Sequence, residues 1–209
     1  MRRAMRRAIL GAACAVLLGL AAPQAAIAGE AGDAVFAERG PWNLGDQTLT
    51  WQMTVEGPAT EGFRPVAGGQ VALTETIDPS DNQPVLQLTQ TTEARDRRIG
   101  PFPISGGDPV LTFFLEQTAR DMAALTGGSP HYIRNRMKDA LFRSGDLARQ
   151  SDALTATFTP FADDPNADRM QGFRDLTLTF VMVNPTGPIR ELRAETATVP
   201  GYRNHLVLE

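Results

Sequence analysis

The chain has 209 residues, and 24 acidic against 20 basic side chains give it a net charge of −4. That balance speaks against nucleic acid as a general partner. Its single cysteine, Cys14, leaves no partner for a disulfide and excludes attached haem.

Residues 1–28 have the three parts of a cleavable signal peptide. Arg2, Arg3, Arg6 and Arg7 form a basic start, residues 8–22 are apolar, and Ala26-Ile27-Ala28 gives the small-x-small pattern that signal peptidase accepts. The apolar run is shorter than the roughly 20 residues of a membrane span and ends in Pro23 and Gln24. Cys14 lies inside that run with Gly11 three places before it, which does not fit a lipidation site. The arginine pairs fit a twin-arginine signal poorly. The expectation is an exported protein, periplasmic or secreted, with no transmembrane span once cut. Cleavage removes four arginines and no acid, leaving 16 basic and 24 acidic side chains and a net charge of −8, with no cysteine.

Residues 29–45 are small, polar and glycine-containing, and predict a loose leader; residues 46–209 predict one domain. Leu49, Trp51, Met53 and Val55 alternate with polar residues, the pattern of a half-buried strand. Val71, Leu73 and Ile77 predict a second strand, and residues 85–94 a third after the turn formers at 78–82. Residues 99–107, with two prolines and three glycines, read as a loop.

Two helices follow. Asp108 can cap the first, with Pro109 at its first position and Gly127-Gly128 at its end. Leu111, Phe114, Leu115, Thr118, Met122 and Leu125 share one face of it. Ser129-Pro130 starts the second, which presents Ile133, Met137, Ala140 and Leu141 on one side and stops near Gly145. Strands return at 153–159 and 176–183, then as a polar strand running to about residue 199 and a terminal one at 206–208. Strand groups on both sides of a helical pair predict an α+β fold. The expected form is a curved antiparallel sheet of about six to eight strands, or a half-barrel, with a two-helix insert (about 108–144) on its apolar face.

Asp164, Asn166 and Asp168 alternate as oxygen ligands for a hard cation would, with Asp175 at the twelfth position. Against calcium, Arg169 stands where a glycine turn is needed; an acidic hairpin loop explains the same residues. Arg95, Arg97 and Arg98 form one basic group, and Arg134, Arg136, Lys138 and Arg143 another. Brought together they would hold an anionic headgroup or phosphate; apart they are solvated surface. Phe102, between Pro101 and Pro103, either tips a docking loop or tucks into the core. His131 and His205 have no ligand-spaced partner, and no Gly-x-Ser-x-Gly, Walker or dinucleotide motif occurs, so no cofactor is expected.

These readings converge on a non-catalytic exported module. Its expected partner is a lipid-like or anionic small molecule, or an envelope protein. Phe102, Phe113, Phe114, Arg97, Arg98, Arg134, Arg136 and Lys138 are the candidate ligand-binding residues, and a hollow under the helices would hold the ligand. A hydrolase with an unrecognised acid/base pair, metal-assisted or not, is the alternative. A structural envelope protein working through its surface is the third reading.

Overall fold

A computed structural model of the protein describes residues 29–197 and 201–209. The expected signal segment and residues 198–200, where the polar strand was to end, lie outside the described residues.

Among the described residues the chain forms α1 (Glu30–Val35), β1 (Thr48–Glu56), β2 (Val66–Ile77), β3 (Pro84–Thr92), β4 (Asp96–Pro103), α2 (Pro109–Thr126), α3 (Pro130–Arg143), β5 (Asp146–Gln150), β6 (Ala153–Phe158), β7 (Thr177–Met182), β8 (Glu191–Glu195) and β9 (Arg203–Leu208). All the strands join one antiparallel sheet in the order β4-β3-β2-β1-β9-β8-β7-β6-β5. Two meanders, β1–β4 and β5–β9, are therefore stitched together where β1 pairs with β9, Trp51 opposite Leu208 and Met53 opposite Leu206. The α+β class and the antiparallel sheet stand. The sheet has nine strands rather than six to eight, and it is open, with β4 and β5 as its two edges.

Two strands were hidden by their edge positions. β4 carries Gly100, Pro101 and Pro103, residues that read as a loop. A strand bonded on one side only tolerates a proline without its N–H, and β4 pairs with β3 alone, with a register shift between Leu86 and Leu88. β5, sequence DLARQ, exposes every residue but Leu147 and carries charges at Asp146 and Arg149, which helps an edge to resist further pairing.

The helices start as their caps dictate. Asp108 Oδ1 accepts hydrogen bonds from the N–H of Val110 (2.9 Å) and Leu111 (3.0 Å), and Gly127 closes α2 in the left-handed conformation at φ 70°. Ser129 Oγ accepts from Tyr132 N–H at the head of α3. Residues 29–45 are not the loose leader their composition suggests. Ala31, Ala34 and Val35 are buried in the core, and α1 packs against α3. Gly32 makes that approach possible, because a Cβ there would collide with the Leu141 carbonyl. Trp42 is also buried and donates its indole N–H to Gly107 O at 3.0 Å.

The core lies between the helices and the sheet. Phe114 of α2 meets Phe180 of β7 edge-on (centroids 5.9 Å apart, 79°), and Phe180 meets Phe158 of β6 in the same way (6.0 Å, 66°). All three rings are fully buried.

Candidate functional site

Under the middle of α2, around Phe114, Phe158 and Phe180, the space expected to hold a ligand is filled. Phe113 and Phe114 are buried in the core and line no open hollow. Phe102 lies in β4 opposite Leu86 and packs, half-buried, on the same core.

The two basic groups do not meet in one patch. Arg134 forms a two-pronged ion pair with Glu116 of α2, which holds its guanidinium charge more firmly than usual. Arg136 Nε lies 2.6 Å from Asp164. Arg98 is exposed, and alternation along β4 sends it away from Arg97. Lys138 is exposed on α3.

Of the four proposed cation ligands, Asp164 and Asn166 are used otherwise, while Asp175 ends a separate 3-10 turn (Phe173–Asp175) with its Oδ1 buried and without a partner among the described residues. Asp164 is buried and accepts from Tyr132 OH (2.9 and 3.0 Å), Arg136 Nε and the Asn166 N–H (2.8 Å). Burial works to raise its carboxyl, but those three donors outweigh it and hold it below the usual range. Asn166 donates to Tyr132 OH, and Asp168 sits exposed in a short 3-10 turn (Ala167–Arg169). Among the described residues no three His, Cys, Asp or Glu side chains gather as a metal site would require. Arg136 supplies the positive charge that a cation would have brought.

Arg97 instead joins residues that sequence reading had not connected. A cleft of about 530 Å³ lies between the β2–β4 side of the sheet and α2, and Arg64, Arg95, Arg97 and Arg120 all line it. Among the described residues none of these four pairs with a carboxylate within 4.0 Å, although Glu93 also borders the cleft. Burial, and then the neighbouring charges of Arg120 and Arg95, push the Arg97 guanidinium below its ordinary value. Like charges converge here on a protein that is acidic overall.

Asp121 of α2 forms one wall of the cleft and is buried. Its Oδ2 accepts from Tyr202 OH (2.9 Å) and its Oδ1 from Gln117 Nε2 (2.7 Å). Beside them Asn204 Nδ2 donates to Thr118 Oγ1 (3.1 Å), while Asn204 Oδ1 is buried with no partner. Burial pushes the Asp121 carboxyl up to about 6, with Tyr202, Gln117 and Arg120 pulling the other way. Burial and the Asp121 charge together raise the Tyr202 phenol. The sequence held one signal for this cluster: Asp121 falls on the apolar face of α2, between Thr118 and Leu125, where a carboxylate needs buried partners.

The Asp121 shift has a measurable consequence. The folded protein holds this proton to higher pH than the unfolded chain does. Its contribution to stability is therefore fully present below about pH 4 and falls by about 3 kcal/mol as pH rises through 6. Urea unfolding of wild type and Asp121→Asn between pH 4 and 7 should show the loss in wild type and a flatter profile in the variant. Parallel profiles would contradict it.

No helix among the described residues is long and apolar enough to cross a membrane. No protein-family model matches this chain, and a search of curated proteins finds no match either.

Proposed function

We propose that this is an exported, non-catalytic binding protein whose ligand is a small molecule carrying two or more negative charges, held in the cleft of Arg64, Arg95, Arg97 and Arg120. One observation carries the reading: four guanidinium groups line one concavity and, among the described residues, none of them lies within 4.0 Å of a carboxylate, although Glu93 and the buried Asp121 share the walls. Bringing like charges together costs free energy that an anionic ligand would return, and arginine's planar donor fork matches phosphate and carboxylate groups. The volume falls within the range of roughly 300–1,000 Å³ usual for small-molecule sites. Export rests on the three-part segment at 1–28.

Thermal unfolding with inorganic pyrophosphate, against chloride at equal ionic strength, tests this. Saturation to about 100 times Kd adds about 2.7 kcal/mol, a rise in midpoint of about 5–10 °C for a domain of this size. Arg97→Gln and Arg120→Gln should each weaken binding about tenfold or more, as loss of a charge-assisted contact does. An unchanged midpoint in every anion tried, or variants that respond as wild type does, would overturn the proposal.

One observation favours the hydrolase alternative. Asp121, poised near neutrality beside the arginines, has the protonation range of a general acid or base. Asp121→Asn separates the two readings: a binder keeps its anion affinity and turns over nothing, whereas a hydrolase loses turnover.

A further inference from the structure

A second concavity, of about 330 Å³, lies on another flank of α2 and shares no lining residue with the arginine cleft. Leu111 and Leu115 of α2 and Met137 of α3 make its floor. Its lip is an aromatic pair: Phe36, just after α1, and Phe142 of α3 stack with centroids 4.6 Å apart and planes 10° from parallel. Phe142 is 63% exposed and Phe36 37%. Two phenyl rings stacked in water above an apolar trough form the sort of patch that marks a binding surface.

The charges around the trough identify what fits it. Glu116 is committed to Arg134, and Asp108 to the cap of α2 and to Arg39. That leaves Lys138, the only lysine in the chain, which borders the trough and makes no ion pair among the described residues. An apolar groove with one uncompensated cation at its edge complements an apolar chain ending in one negative charge.

We infer that the groove between α2 and α3 binds the single acyl chain of a monoanionic amphiphile, with a long-chain carboxylate as the simplest case. The chain lies over Leu111, Leu115 and Met137 under the Phe36–Phe142 lip, and the carboxylate meets Lys138. The volume sits at the low end for small-molecule sites, which suits one chain rather than two. Arg134 does not add a second charge, because Glu116 already neutralises it.

Calorimetric titration of the protein with octanoate, decanoate and dodecanoate, each below its micelle concentration, tests the site. Dodecyltrimethylammonium serves as the chain-matched cation. Affinity should rise about fourfold per methylene until the groove is full. Lys138→Glu should weaken dodecanoate about fivefold and tighten the cation. Phe142→Asp should abolish binding. Both positions are exposed, and an unchanged circular dichroism spectrum and unfolding midpoint confirm that the variants fold. Equal affinity for the cation, or indifference to Phe142→Asp, would overturn the inference. So would an absence of carboxylate binding, whether the face then proves to pair two copies of the chain, with Phe142→Asp separating them, or to adsorb only to anionic vesicles.

Discussion

Replacing Phe180 by alanine is expected to destabilise the fold by about 3–5 kcal/mol. Phe180 is fully buried and stands between two other rings, Phe114 from α2 and Phe158 from β6, each meeting it edge-on. Truncation removes the ring's own transfer free energy, leaves a cavity on both sides, and breaks two aromatic contacts of about 0.5–1.5 kcal/mol each. A domain of ordinary stability, about 5–15 kcal/mol, would lose a large share of it. In urea the midpoint should fall sharply with little change in slope. A loss under about 1 kcal/mol would mean that the space between α2 and the sheet is not packed as described, and the hollow first expected there would return.

Asp108→Ala is expected to cost about as much, roughly 3–5 kcal/mol, for a different reason. Arg39 is buried, with its Nη1 donating to Val35 O (2.8 Å), its Nη2 to Ala34 O (3.3 Å) and its Nε to Gly187 O (2.9 Å). Among the described residues the only carboxylate within 4.0 Å of it is that of Asp108, whose Oδ2 lies 3.5 Å from Nε. Burial lowers the Arg39 guanidinium and raises the Asp108 carboxyl, and each charge partly restores the other. Alanine removes the α2 cap, worth about 1 kcal/mol, and strands a buried cation. Asp108→Asn keeps an oxygen for the cap but not the charge, so the cost it shares with alanine belongs to the ion pair. Should Asp108→Asn match wild type in urea unfolding, the pair would contribute nothing. Arg39→Met with Asp108→Asn should recover much of the loss, since neither charge is then left alone.

The parts of the fold legible in the sequence are those set by local periodicity. Alternation gave β1 and β7, and Asp108-Pro109, Gly127 and Ser129-Pro130 gave the helix ends, because caps and pleats act over a few residues. The strand order is not local. β1 and β9 pair through residues such as Trp51 and Leu208, from opposite ends of the domain, and no window on the chain contains both. β4 and β5 were missed for a related reason: an edge strand buries one face poorly, so its composition resembles a loop. In α1 the apolar signal is only Ala31, Ala34 and Val35, too small to register until α3 covers it.

The candidate site divides in the same way. Arg95 and Arg97 were visible as a cluster, but alternation along β4 should have separated Arg98 from them. Arg64 enters from the loop before β2, and Arg120 and Asp121 from α2, so only the tertiary fold assembles the cleft. Arg134 and Arg136 looked equally available until Glu116 and Asp164 were placed beside them.

The arginine cleft is tested most directly by following guanidinium Nε–H resonances during titration with pyrophosphate. Arg64, Arg95, Arg97 and Arg120 should shift together and saturate at one affinity, while Arg98, Arg134 and Arg136 stay still. A uniform drift of all arginines, or a response confined to Arg134 and Arg136, would contradict a built anion site at this place.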